Sequence, residues 1–445
     1  MSENQMLIHL LLALRSFSAQ SHPLLKSTEL YNMLLLRPLA LAVLAAVVTF
    51  TRADIGKTTY FGTQPATYYA FMHQYFNVAD NKVADGATCG DEPTCVCWAK
   101  LCLLETATQS CSGPRDNFQM HVVDATKRPS GPLNISAYES AFAAKVGNFT
   151  GDFDPFWDYS FAYSTSDLDH FVTSLKAGGV PTLAFSWTST TGAKMYSVLL
   201  HVPSTIALIE LQGSALSAAS PAFHLETPRF TPTAGQPAWE APDAPAAADA
   251  IPFLKPVRIS YASSDLERDA AFYTGVLGAT QHATFAAPAN GGNAAATTKV
   301  FTVKSGDAVQ VHLTARPGAA TKGELTVASF EANLNAAHAT SLGFSDHTQG
   351  MDKPCDFHWG HADYGSLDGP VKAMAAMGAS APKYRWFTAG GRRRLGGAAP
   401  VDDDEAGGTM YFIYIAQPNG ACAQLIGTST LAPTNLTGYD FCAGI

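Results

Sequence analysis

The segment Ser264–Ala279 reads SDLERDAAFYTGVLGA and directly follows the alternating segment Val257–Ser263, VRISYAS. Between the two segments the apolar period changes from two residues to the spacing of a helix. The residues that then share one helical face are Leu266, Ala270, Tyr273 and Leu277. The sequence therefore predicts a strand that runs into an amphipathic helix.

Both ends of this helix carry capping signals. Ser264 and Glu267 have the spacing of a capping box, in which two side chains satisfy amide groups of the first helical turn. Gly278 follows Leu277 and suits a left-handed residue just beyond the helix. We expect the helix to begin at Ser264 and to end before Gly278.

The same strand-then-helix pattern occurs four times. Predicted helices begin at Pro65, Ser166, Ser264 and Ser366, which are roughly 100 residues apart. Strand-like segments follow each helix, as in Thr182–Trp187. The regular spacing predicts a duplicated architecture of four similar units.

The segment also resembles the opening of a half-module of the vicinal-oxygen-chelate superfamily, which includes glyoxalase I, bleomycin-resistance proteins and extradiol dioxygenases. The matching residues are Asp265-Leu266-Glu267, Phe272-Tyr273-Thr274 and Val276-Leu277-Gly278. The resemblance implies an α+β fold in which tandem βαβββ half-modules pair into two glyoxalase-like domains with curved mixed sheets.

The predicted domain boundaries follow from this reading. Residues 54–213 form a first, divergent domain with a cysteine-rich insertion, and residues 255–430 form a second domain. Residues 214–254 are rich in Ala and Pro and predict a linker. Residues 1–53 precede the first domain, and residues 431–445 form a tail.

Export through the secretory pathway is predicted by Met33–Ala53. This stretch has an apolar core and a small-residue cleavage site before Asp54, and an uncleaved anchor is the alternative. Three glycosylation sequons at Asn134, Asn148 and Asn435 agree with export. The eight cysteines are then more readily disulfides than a metal site. We expect a protein that is secreted or held in the endomembrane lumen.

The composition limits the classes of partner. A hydrophobic fraction of 47% predicts a sizeable core, and a net charge of -9 without a basic stripe argues against nucleic acid. No stable membrane partner is expected. The chain should bind a small molecule and should be a monomer or a homodimer.

In the superfamily each cleft holds a metal through side chains on the first and last strands of each half-module. Carried over to the second domain, these positions give His312, His358 and Gln424, whereas Arg258 occupies the first corner and cannot bind a metal. Both histidines could instead be polar strand residues with their hydrogen bonds satisfied.

In the first domain the resemblance gives His121 and Glu210, with Tyr60 and Ser160 at the other two corners. Two such ligands hold an ion poorly, so a metal-free first domain is the alternative. His121 and His312 stand in similar surroundings, which agrees with duplication of a whole domain.

Two functions remain open. The first is a lyase or dioxygenase that uses Fe, Mn, Zn or Ni on a small oxygenated substrate. The second is a non-catalytic, bleomycin-resistance-like binding protein that needs no metal, in which Arg258 anchors an anionic ligand. An extracellular structural glycoprotein with a degenerate fold is a third alternative.

Overall fold

The structure, a computed structural model, describes residues 54–83, 98–111, 118–124, 135–147, 160–287, 296–315, 357–388 and 410–433, apart from a few short gaps. The first unit contains β1 (Ile55–Gly62), α1 (Pro65–Tyr75), β2 (Val78–Val83), β3 (Trp98–Leu103) and β4 (Gln119–Asp124). After α2 (Ile135–Gly147), the second unit contains β5 (Ser160–Thr165), α3 (Leu168–Ala177), β6 (Thr182–Thr188), β7 (Lys194–His201) and β8 (Leu208–Gly213).

The short strand β9 (His224–Leu225) leads towards the second half of the chain. The third unit contains β10 (Leu254–Ser263), α4 (Leu266–Gly275), β11 (Thr280–Ala287), β12 (Ala296–Thr302) and β13 (Gln310–Ala315). The fourth contains β14 (Phe357–Ser366), α5 (Asp368–Ala376), β15 (Tyr384–Thr388), β16 (Met410–Ala416) and β17 (Cys422–Thr428). Each unit is therefore βαβββ, and the predicted fold class is confirmed.

The four units form two mixed sheets. Sheet A has the strand order β15-β16-β17-β14-β1-β4-β3-β2, and sheet B has the order β11-β12-β13-β10-β5-β8-β7-β6-β9. In every unit the last strand returns parallel to the first, and the first strands of two units pair antiparallel at the centre of each sheet. The four strands at each centre are thus the first and last strands of two units.

The pairing of units differs from the sequence prediction, which joined units adjacent in the chain. In the structure the first unit pairs with the fourth through β1 and β14, and the second pairs with the third through β5 and β10. Each sheet consequently takes strands from both 54–213 and 255–430. Every half-module exposes a similar first-strand edge, so the sequence of one edge does not specify its partner.

The helices α1, α3, α4 and α5, one from each unit, cover one face of the sheets. In α3 the buried residues recur at helical spacing, and they are Leu168, Phe171, Val172 and Leu175. They join a core that includes strand residues of both sheets, among them Ile259 and Val122. These four helices therefore leave the opposite face of each sheet to other parts of the chain.

That opposite face of sheet B is covered by parts of the chain that the sequence did not place there. Leu225 and Phe230, from the predicted linker, share a buried cluster with Phe142 of α2 and with strand residues such as Trp187 and Leu199. Leu225 also pairs with Trp187 as part of β9. Part of the linker is thus a packed element of sheet B.

The start of α4 corrects the predicted capping box. The N-cap is Asp265, whose carboxylate accepts a hydrogen bond from the amide of Arg268 at 3.1 Å, and Ser264 lies outside the described residues. Gly278 has φ +62°, so the predicted left-handed residue after the helix is confirmed.

We expect Asp265→Ala to lower the free energy of unfolding by about 1 kcal/mol, because the amide of the first turn loses its acceptor. Asp265→Asn is the matched control, since asparagine caps about as well as aspartate. Urea denaturation measures both variants. Equal losses in the two would contradict the capping role.

Several sequence predictions lie outside the described residues. They are the signal Met33–Ala53 and the sequons at Asn134, Asn148 and Asn435. Within the described part, Cys102 and Cys111 form a disulfide. None of the helices described there is long and apolar enough to cross a membrane.

Candidate functional site

The central strands of sheet B bring polar residues onto one face, here called the Glu210 face. Residues paired across neighbouring strands project from the same side of a sheet. One row across β13, β10, β5 and β8 contains Gln310, Arg258, Ala162 and Glu210. The next row contains His312, Ser260 and Ser160. The predicted ligands Glu210 and His312 therefore share one face.

Glu210 is fully buried, and its carboxylate is enclosed by donors. Arg229 binds it with both Nε, 3.2 Å from Oε1, and Nη2, 2.5 Å from Oε2. Arg258 donates from Nη2 to Oε2. Ser197 Oγ and Gln212 Nε2 donate to Oε1 at 2.6 and 3.0 Å. The carboxylate is thus the centre of a buried ion cluster with two guanidinium groups.

The charges of this cluster set its protonation. Burial alone would raise the pKa of Glu210, but Arg229 and Arg258 outweigh that effect and hold the pKa well below its usual range. Burial and the neighbouring Arg229 lower the pKa of Arg258 to about 10, although Glu210 opposes this. Glu210 and Arg258 are therefore both charged near neutral pH.

His312 is held by a glutamine that is fixed by the linker. Gln310 accepts from the amide of Thr231 at 3.3 Å and donates to the carbonyl oxygen of the same residue. Gln310 Oε1 is therefore an acceptor, and His312 Nε2, 3.0 Å away, must carry the proton. Burial first, and then the charges of Arg258 and Arg229, keep the pKa of His312 well below its usual value. This histidine is neutral.

The Glu210 face does not fit a divalent metal. A carboxylate ligand must offer a lone pair to the ion, yet both oxygens of Glu210 are already bound by guanidinium groups. Arg258 is itself fully buried at the corner where a ligand would be needed. The cationic centre of this sheet is therefore supplied by arginine side chains.

The corresponding face of sheet A, here called the His121 face, has a different set of residues. One row across β4, β1, β14 and β17 contains Gln119, Lys57, Gly360 and Gln424. The next row contains His121, Thr59, His358 and Cys422. His121, His358 and Gln424 therefore share one face, and Lys57 and Thr59 occupy the first-strand positions. Tyr60, predicted for that corner, pairs with Val122 and lies on the opposite face.

The described side chains on the His121 face fit a divalent ion in their chemistry. Imidazole and amide oxygen are both metal ligands. His121 is buried, and its Nε2 lies 3.4 Å from Oε1 of Gln119. A histidine that binds a metal through one ring nitrogen usually donates a hydrogen bond from the other, and Gln119 Oε1 is placed to accept it. Gln119 Nε2 is a buried donor without a hydrogen-bond partner among the described residues. The side chain of His358 is outside the described atoms.

The described residues contain no group of three or more His, Cys, Asp or Glu side chains arranged to hold a metal. The predicted set His312, His358 and Gln424 is also divided, because His312 belongs to sheet B and the other two belong to sheet A. The predicted set is divided because the first unit pairs with the fourth, and not with the second. His121, assigned to the first domain, consequently joins His358 and Gln424.

Arg229 is the functional residue that sequence reasoning missed. It lies in an Ala- and Pro-rich stretch without periodicity, where neither helix nor strand is indicated. The available signal was indirect, since Arg258 and Glu210 each interrupt an apolar strand and each requires a buried partner of opposite charge. The pairing of Arg258 with Glu210 could therefore be predicted from the sequence, whereas the contribution of Arg229 could not.

The four βαβββ units pair into two mixed sheets, with the first and last strands of two units at the centre of each sheet. This is the fold of tandem βαβββ units that the resemblance to the vicinal-oxygen-chelate superfamily implies. No protein-family model and no curated protein matches the sequence.

Solved structures with a similar arrangement are remote in sequence. A glyoxalase I variant from Zea mays is 10% identical, with 84% of this chain and 92% of that chain covered and a TM-score of 0.41. An Mn(II)-bound glyoxalase from Novosphingobium aromaticivorans is 11% identical, with 89% and 86% covered and a TM-score of 0.20. A catechol 2,3-dioxygenase is 15% identical, with 87% and 97% covered and a TM-score of 0.20. These scores support no inference about activity.

Proposed function

We propose that the chain is a divalent-metal-dependent enzyme of the glyoxalase or dioxygenase type, and that its working site is the His121 face of sheet A. The observation that carries the proposal is the register that places His121, His358 and Gln424 on one face of the four central strands. Neighbouring strands are about 4.8 Å apart, so the backbones of His121 and His358, which lie on either side of β1, are about 10 Å apart.

In this proposal His121, His358 and Gln424 are the protein ligands, and Gln119 orients His121. A divalent ion there would act as a Lewis acid on oxygen atoms of a small substrate. Three neutral ligands leave coordination positions for that substrate. Sheet B would have no catalytic role, because Arg258 and Glu210, which occupy the equivalent positions on its strands, belong to the buried ion cluster.

The first test is the metal content of the full chain, expressed through a secretory pathway and purified without chelator. We expect about one ion per chain and a loss of metal affinity of at least about tenfold in His121→Ala and Gln424→Ala, since each removes a ligand. His282→Ala is the matched control, because His282 bonds Thr302 at the β11 edge of sheet B. Gln119→Ala should weaken metal binding about 10- to 100-fold without removing a ligand.

The opposite outcome is equally specific. If no ion binds after the protein is loaded with manganese, iron, zinc or nickel, the metalloenzyme proposal is wrong. The remaining function would then be the non-catalytic binding of a small molecule. Arg258 would be an unsuitable anchor for that ligand, because it is fully buried and already donates to Glu210 and Ser260.

A further inference from the structure

The edge strands of the two sheets differ in their protection against pairing with a further strand. An edge strand leaves a row of backbone N–H and C=O groups unpaired, and proteins usually protect it with charged residues, proline or short length. The outermost strands are β15 and β2 in sheet A, and β11 and β9 in sheet B. β2 contains Asp80 and Lys82, β15 contains Arg385, and β9 has two residues. Of these four described strands, β11 alone has more than two residues and no Asp, Glu, Lys or Arg.

The second part of β11, whose sequence is TQHATFAA, is regular and exposed. Its register with β12 shifts near the start of the strand and is then continuous over residues 283–287. Thr284 and Ala286 are exposed, and Phe285 between them is partly buried. Within the described residues β11 pairs with β12 alone. Along this segment every second residue therefore directs its backbone N–H and C=O groups away from the sheet.

Charge favours a second copy of this chain as the partner of this edge. The chain has a net charge of -9, so two copies repel each other unless they meet at a neutral surface. The nearest described cation, Lys299 opposite Thr284 on β12, is already paired with Glu267 at 2.7 Å. An acidic or basic peptide would thus find no opposite charge on β11. A twofold axis, by contrast, brings only uncharged side chains of β11 together.

We infer that β11 pairs antiparallel with β11 of a second copy of this chain about a twofold axis. The two nine-stranded sheets B then form one continuous sheet. With the axis at Phe285, the two Phe285 rings are cross-strand neighbours, and such aromatic pairs stabilise a sheet. Thr284 then lies opposite Ala286 of the partner subunit. The His121 face belongs to sheet A, so the inference does not depend on the proposed function.

Sedimentation velocity of the full chain tests this inference. One strand pair buries a small area, so we expect a monomer–dimer equilibrium with a Kd on the order of 10 µM. The double variant Thr284→Lys with Ala286→Lys should weaken association at least about tenfold, because lysines then lie opposite lysines. Thr173→Lys with Ala177→Lys on α3 is the matched control, since all four residues are exposed and the change in charge is the same. The control should associate like the wild type.

Each other result counts against the pairing of β11 with its copy. A wild-type chain that stays monomeric up to about 20 times the expected Kd would overturn the inference, and the edge would then be left to a foreign peptide or to another segment of the chain. An unchanged dimer in the β11 variant, or equal weakening in the α3 control, would overturn it as well. Circular dichroism and the metal content of sheet A should be unchanged in the β11 variant, which separates lost pairing from lost folding.

Discussion

Glu210→Gln should lower the free energy of unfolding by about 3–5 kcal/mol, which is the usual cost of removing one partner from a buried ion pair. The variant keeps the shape of the side chain but leaves Arg229 and Arg258 without a carboxylate. Both guanidinium groups would then lie in a region where Glu210 and Arg258 have no solvent-exposed side-chain surface. The cost is the desolvation of two unbalanced cations.

Urea unfolding followed by tryptophan fluorescence is the appropriate measurement. Trp187, one of six tryptophans, donates from Nε1 to Ser197 Oγ at 2.9 Å, and Ser197 donates to Glu210, so this indole is linked to the cluster by a hydrogen bond. Glu267→Gln is the control, because Glu267 is 83% exposed and pairs with Lys299 at the surface. The control should lose less than about 1 kcal/mol.

A compensated variant separates lost charge balance from lost packing. Replacing the cluster together, as Glu210→Leu with Arg229→Met and Arg258→Met, should recover most of the stability, because apolar residues of similar volume often equal a buried ion cluster. If Glu210→Gln cost no more than the surface control, the cluster would not be the buried, charged assembly described above. If the triple variant were as unstable as the single one, packing and not charge would explain the loss.

The local pattern of the chain predicted the units but not their assembly. α3 and α4 were predictable because their apolar residues recur at helical spacing and their ends carry Asp167, Asp265 and Gly278. The pairing of the first unit with the fourth depends on contacts between β1 and β14, which lie about 300 residues apart in the chain, and alternation within either strand does not encode its neighbour. The candidate ligand positions on the first and last strands of each unit stay a prediction, but the predicted grouping of His312 with His358 and Gln424 is divided between the two sheets.

The covering of sheet B was unpredictable for a related reason. Arg229 and Phe230 contribute through contacts with strands far away in the sequence, and a stretch rich in Ala and Pro has no periodicity that indicates such contacts. Phe142 on α2 likewise packs onto the face that the resemblance assigns to a ligand. The sequence described this face as a cleft, whereas the chain fills it with its own residues.

Acidification from pH 6.5 to pH 5 should remove about 2 kcal/mol of stability through His201 alone, because a pKa difference of one unit is worth about 1.4 kcal/mol. Burial lowers the pKa of His201 to about 4, and a backbone hydrogen bond involving Thr205 offsets only part of that effect. The unfolded chain takes up the proton near pH 6.5, whereas the folded chain does so only near pH 4. Stability is therefore complete above pH 6.5 and falls as the pH drops towards 4.

His201→Gln should flatten the dependence of unfolding free energy on pH over this interval, and denaturation at pH 7, 6 and 5 measures the slope. His73→Gln is the control, because His73 is partly exposed and bonds Asp80 at the surface. His312 should add to the wild-type slope in the same direction, since burial and two arginines also keep its pKa low. An unchanged slope in His201→Gln would contradict the buried, neutral state of this histidine.

The ion cluster cannot cause this loss between pH 6.5 and 5, and the distinction makes the test specific. The folded pKa of Glu210 is depressed, so its contribution is complete above the unfolded value of 4.5 and is lost only at lower pH. The stability lost through His201 and the stability lost through Glu210 therefore fall in different pH ranges. We expect the wild-type protein to lose stability between pH 6.5 and 5 and the His201→Gln variant to lose less. We expect the Glu210→Gln variant to be destabilised already at pH 7. These three results together would assign the loss between pH 6.5 and 5 to His201 and the loss at lower pH to Glu210.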